Sequence, residues 1–169
     1  MDIKRRFILT IVLLSYFVTA INGAIVITGL TDMAEELGLN QSALSWVQNA
    51  YVLAWGGFML LGGRLSDTFG RRQILNLALV LFGIGSLLAG IAPSAIVLIV
   101  SRFIQGIGAA VLAPTSLALI IDYFKGQERV KAVAWYSSIS GLGMCVGLII
   151  GGILASFFSW RYGFFIYLP

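Results

Sequence analysis

Histidine is missing from this chain, and cysteine occurs once, as Cys145. Without histidine there is no imidazole to act as a base. With a single thiol there is no disulfide within the chain and no Cys/His metal site. Zinc chemistry and His-based acid–base catalysis are therefore excluded, and no cofactor is implied. Charge is also scarce. Asp, Glu, Lys and Arg together make up 11% of the residues, where a soluble domain carries about 25%. The net charge of +4 suggests anionic partners, but the basic residues gather at the ends of apolar stretches and form no stripe. That arrangement argues against nucleic acid as a partner.

Hydrophobic residues are abundant, at 59% of the chain. The implied class is an all-α, polytopic integral membrane protein, because a crossing helix needs about 20 mostly apolar residues. Five such stretches can be read, at residues 7–30, 42–61, 74–91, 95–121 and 132–158, with a sixth starting at 162. A basic start followed by an apolar run also fits a secretory signal peptide. The 7–30 run is too long for that, and further spans follow it.

Lys and Arg lie before the first run (Lys4, Arg5, Arg6), between the second and third (Arg64, Arg71, Arg72) and between the fourth and fifth (Lys125, Arg129, Lys131). The 31–41 segment instead carries Asp32, Glu35 and Glu36, and Ala92-Pro93-Ser94 carries no charge. By the positive-inside rule the N-terminus is cytoplasmic, with Arg161 the exception on the outer side. The expected location is a bacterial plasma (inner) membrane, crossed several times, with the lipid bilayer as a partner.

Gly63-Arg-Leu-Ser-Asp67-Thr-Phe-Gly70-Arg71-Arg72 is the most informative string. Gly70 hinges a carboxylate and two arginines between apolar stretches, which places a tight charged turn at the membrane surface. Asp67 sits near the C-terminal end of the second helix, where the helix dipole disfavours an anion, so it needs a cation such as Arg71 or Arg72. The string resembles the loop between helices two and three of major facilitator superfamily transporters, G-x-L-a-D-r-x-G-r-[RK]. Gly63, Leu65, Asp67, Gly70, Arg71 and Arg72 fit that pattern. The resemblance implies a latch that gates the cytoplasmic side against a second half; a turn that only sets topology is the plainer alternative.

Arg102 is a charge inside the fourth run, which costs on the order of 2.5–3.5 kcal/mol on insertion scales. Its context, Leu98 to Ala110 with Gln105, Gly106 and Gly108, resembles the superfamily's fourth-helix pattern. That resemblance implies a part in proton coupling for Arg102, with Gln105 on the same helix face. The alternative is an arginine snorkelling to the outer interface.

Gly143, Gly147 and Gly151 recur every four residues and make one smooth helix face. With Gly152 they resemble the antiporter signature g-x-x-x-G-P-x-x-G-G, although Leu148 stands at the proline. Simple helix packing is the other reading. The first run resembles that of fourteen-helix drug:proton antiporters, with Asn22 in place of the acid. Asn22 cannot carry a proton, and no complete span contains Asp or Glu. Ser45 to Ala54 resembles the start of the same family's second helix. Gln48, Asn49 and Tyr51, like Asn22, are candidates to line a cavity, while Trp46 and Tyr51 also suit interface anchors. Trp160-Arg161 resembles the start of its sixth helix.

The resemblance runs from about Ala20 to Pro169. It implies the N-terminal part of a proton-coupled exporter of small drug-like compounds, an antiporter able to confer antibiotic resistance. Its partners would be the substrate, protons and a missing C-terminal half, and no enzymatic chemistry is expected. The chain reads as a fragment or truncated product, with a natural five-helix protein as the alternative. A nutrient or metabolite facilitator, or a non-transporting remnant, are the other functions to weigh.

Overall fold

The computed structural model describes residues 3–168; Pro169, where the sixth apolar run stops, lies outside them. Among the described residues six helices follow one another: α1 (Ile3–Leu37), α2 (Gln41–Phe69), α3 (Arg71–Gly90), α4 (Ala95–Tyr123), α5 (Gly126–Phe157) and α6 (Trp160–Phe165). The chain is an all-α, polytopic membrane protein. In α1, α3, α4 and α5, the stretches Arg5–Leu37, Arg71–Gly90, Ala95–Tyr123 and Gly126–Phe157 are long and apolar enough to cross a membrane. Helix α2 is as long as α4, but Gln48, Asn49 and the Gly56-Gly57 pair dilute its hydropathy.

The helices overrun the apolar stretches. Helix α1 continues past Leu30 through Asp32, Glu35 and Glu36 and stops only where Gly38 takes φ 61°. Likewise the charged string read as a turn is mostly helix. Residues 63–69 complete α2, and Gly70 alone breaks the chain, at φ 95°. A side chain rarely adopts that backbone, so glycine is required there. Helix α5 starts at Gly126 and so takes in Arg129 and Lys131. Helix α6 starts at Trp160, two residues before the expected 162. Backbone hydrogen bonding continues past the apolar stretches; only the side chains change character there.

Helix α4 is the hub, and many of its inward residues are small: Ser101, Gly106, Gly108, Ala109, Ala110, Ala113 and Ser116 are all buried. It packs extensively on α2 and α3, while α1 packs on α5. Close approach is achieved by removing side chains. A Cβ on Gly106 would stand 2.5 Å from the Tyr51 carbonyl oxygen of α2, and one on Gly108 would stand 2.8 Å from the Phe82 nitrogen of α3.

Candidate functional site

Arg102 lies in the bundle interior, 2% exposed, so it does not snorkel to an interface. Its Nη1 donates to Asn22 Oδ1 of α1 at 2.6 Å and to Gln105 Oε1 at 2.8 Å, and its Nε donates to the Val47 carbonyl of α2 at 3.2 Å. The guanidinium carbon stands 4.2 Å from the centre of the Tyr51 ring. Gln105 passes the network on, since its Nε2 donates to Ser86 Oγ of α3 at 2.7 Å and Ser86 donates to the Phe82 carbonyl at 2.8 Å. One cation thus ties four helices together through neutral partners. Gly85 makes room, since a Cβ there would lie 2.7 Å from Gln105 Cγ.

Beside this network opens a cavity of about 290 Å³. Tyr16, Thr19, Ala20 and Gly23 of α1 line it with Tyr51, Val52 and Trp55 of α2, Ala109 and Ala113 of α4, and Ser140 and Met144 of α5. Tyr51 belongs to both the cavity and the Arg102 network. The other sequence candidates fall elsewhere: Asn22 is fully buried against Arg102, while Gln48 and Asn49 are not among the lining residues. At the cavity wall, Tyr16 stacks on Tyr136 at 4.1 Å between ring centres. The Tyr136 hydroxyl donates to the Ala113 carbonyl at 3.0 Å, next to Pro114 inside α4.

At the end of the bundle that carries Asp67, the cation is Arg71. It bonds Asp67 at 3.2 Å, Asp122 at 2.6 Å and the Ala118 carbonyl at 2.6 Å. Both carboxylates stand in the last turn of a helix, α2 and α4, where each opposes the dipole; one arginine answers both. The contact with Asp122 joins residues far apart in the chain. Arg72 turns away and lines a groove with Phe7, Ile11 and Leu75. Gly63 meets only Pro114, at 3.9 Å from a notional Cβ.

The period-four glycines meet α1. Notional Cβ atoms on Gly143 and Gly147 would each stand 2.7 Å from a Cβ of α1, on Ala20 and Ala24 respectively, and one on Gly151 would collide with Thr28. Gly152 meets nothing within 4 Å, one residue off the packed face. Leu148, at the proline position, is exposed.

At the opposite end a clamp appears that spacing could not reveal. Arg161 bonds Glu36 at 2.9 Å and the Gly90 and Ala92 carbonyls at 3.0 and 2.9 Å, while Trp160 Nε1 donates to Glu36 at 2.6 Å. The start of α6 is thereby fixed to the ends of α1 and α3.

Residues 12–169 match the family model of the Major Facilitator Superfamily. The puromycin resistance protein pur8 of Streptomyces alboniger is 40% identical over 169 residues, which is 99% of this chain and 34% of that protein. The multidrug transporter protein MdtP of Bacillus subtilis is 32% identical over 166 residues, 98% of this chain and 30% of that protein. The chain therefore spans about a third of the length of the relatives it matches. In fold it is similar to a crystal structure of a bacterial homolog of the human lysosomal transporter Spinster, in an inward-facing and unoccupied conformation. That likeness has a TM-score of 0.83 at 22% identity and covers 92% of this chain and 33% of the other.

Proposed function

Because this chain belongs to the Major Facilitator Superfamily, we propose that it is the N-terminal part of a secondary transporter exporting small drug-like compounds in exchange for protons. The observation that carries the proposal is the Arg102 network beside an open cavity: a charge held fully inside the bundle by Asn22, Gln105, Val47 and Tyr51. Keeping a guanidinium in a spanning segment is expensive, and such residues mark ion and substrate pathways. The names of relatives, resistance and multidrug transport proteins, support export as the direction.

Arg102 holds its charge throughout and cannot carry the proton. The proton-binding carboxylate belongs to the part of the transporter outside this chain, and Arg102 sets the field that this group experiences. The Asp67–Arg71–Asp122 cluster acts at the cytoplasmic face, gating movement of this half against the other. The basic residues near Arg5, Arg71 and Arg129 orient the chain in the plasma membrane with its N-terminus inside.

Asn22 favours a second reading, a metabolite facilitator without proton coupling, since a neutral amide stands where the resembling antiporters have an acid. Vesicles separate the two. Inside-out vesicles from an exporter-deficient host, bearing the gene product that contains this chain, should accumulate dye under an imposed pH gradient. An ionophore that collapses the gradient should abolish accumulation; dye that only equilibrates across the membrane, at a rate indifferent to the gradient, supports the facilitator.

A further inference from the structure

From the charge around Tyr51 we infer that the cavity of this half selects neutral or anionic aromatic amphiphiles and rejects cations. The inference deepens the export reading and rests on it. Two observations carry it. First, Arg102 has no counter-ion among the described residues: its hydrogen-bond acceptors are the Asn22 and Gln105 amides and the Val47 carbonyl, all neutral. The acidic side chains among the described residues, Asp32, Glu35, Glu36, Asp67, Asp122 and Glu128, lie in the outer turns of the helices, and Arg71, Arg161 and Arg5 already pair with four of them.

Second, only one ring separates this charge from the cavity. Tyr51 lies 4.2 Å from the guanidinium and also lines the cavity, where the other lining residues carry no charge. Inside a bundle of low dielectric, an unpaired charge acts over several ångströms. A guanidinium one ring away favours electron-rich or anionic groups. The Tyr16, Tyr51 and Trp55 rings supply stacking surface for aromatic compounds.

The test uses vesicles bearing the gene product that contains this chain, with the membrane potential clamped. Initial transport rates are compared for three fluorophores of similar size: a rhodamine-type cation, an uncharged analogue and a fluorescein-type anion. The neutral and anionic probes should move roughly tenfold faster than the cation, a ratio expected for an unscreened charge at this range. Asn22→Asp places a carboxylate against Arg102 in an isosteric side chain, and should bring the cation up to parity while slowing the anion. Equal rates for cation and anion in the wild type, unchanged by Asn22→Asp, would overturn the inference. If no probe is transported, it is the export reading that fails. Charge preference is then read from quenching of the fluorescence that Trp55→Phe removes, and equal quenching by cation and anion contradicts it.

Discussion

Tyr51 covers Arg102, its ring centre 4.2 Å from the guanidinium carbon, and the same tyrosine lines the cavity that α1, α2, α4 and α5 enclose. The buried charge and the open space therefore share one side chain. A cation over a desolvated ring gains about 2 kcal/mol, and the ring, not the hydroxyl, supplies it. Tyr51→Phe should leave thermal stability in detergent within about 0.5 kcal/mol of wild type, whereas Tyr51→Leu should lose about 1–2 kcal/mol.

The α1–α5 seam should be sensitive at one glycine and indifferent at its neighbour. Gly147→Val forces a branched side chain onto Ala24 and the Ile21 backbone, an overpacking of about 1–3 kcal/mol. Gly152→Ala meets open space and improves helix propensity, so it should be neutral or gain up to about 1 kcal/mol. Melting temperatures of the two variants check the contrast.

Arg71 serves two carboxylates unequally. Its contact with Asp122, at 2.6 Å, is shorter than that with Asp67, at 3.2 Å, and Asp67 is the more exposed of the two. Double-mutant cycles with Arg71→Gln should yield a larger coupling with Asp122→Asn than with Asp67→Asn, both within about 1 kcal/mol. Raising the salt concentration should shrink both couplings.

The clamp at the other end tests differently. Glu36→Gln keeps an acceptor for Trp160 and leaves Arg161 on the Gly90 and Ala92 carbonyls. Arg161→Ala strips both helix ends at once. Arg161→Ala should therefore loosen α6 more, seen as a larger red shift of tryptophan emission and a loss of about 1–3 kcal/mol.

Part of this could be read from residue order. Arg102 and Gln105 stand three apart on one helix face, so their hydrogen bond is local. Asp67 and Arg71 stand four apart across Gly70, and the helix dipole called for a cation there. The glycine period of four gave the α5 face that meets α1, but Gly152 fell one step off it. What could not be read joins residues far apart in the chain: Arg102 with Asn22, Gln105 with Ser86, Arg71 with Asp122, Arg161 with Glu36. No spacing rule encodes these contacts, because they depend on which helices become neighbours. Helix ends differ from the ends of the apolar stretches for a different reason. Charged residues such as Asp32 and Glu36 leave the apolar layer without leaving the helix. Gln48 and Asn49 look like cavity residues by polarity, but α2 presents Tyr51, Val52 and Trp55 to the cavity.

The central claim is that Arg102, fixed by neutral partners beside the cavity, is indispensable to export. In a host stripped of its own exporters, dye efflux by the gene product containing this chain should be compared for wild type, Arg102→Lys and Arg102→Ala, with membrane insertion verified for each. Lysine keeps the charge but lacks the planar fork of donors that serves Asn22, Gln105 and Val47 together. The account predicts efflux driven by the proton gradient in the wild type, about a tenth of it for Arg102→Lys, and none for Arg102→Ala. Full efflux by well-inserted Arg102→Ala would contradict it.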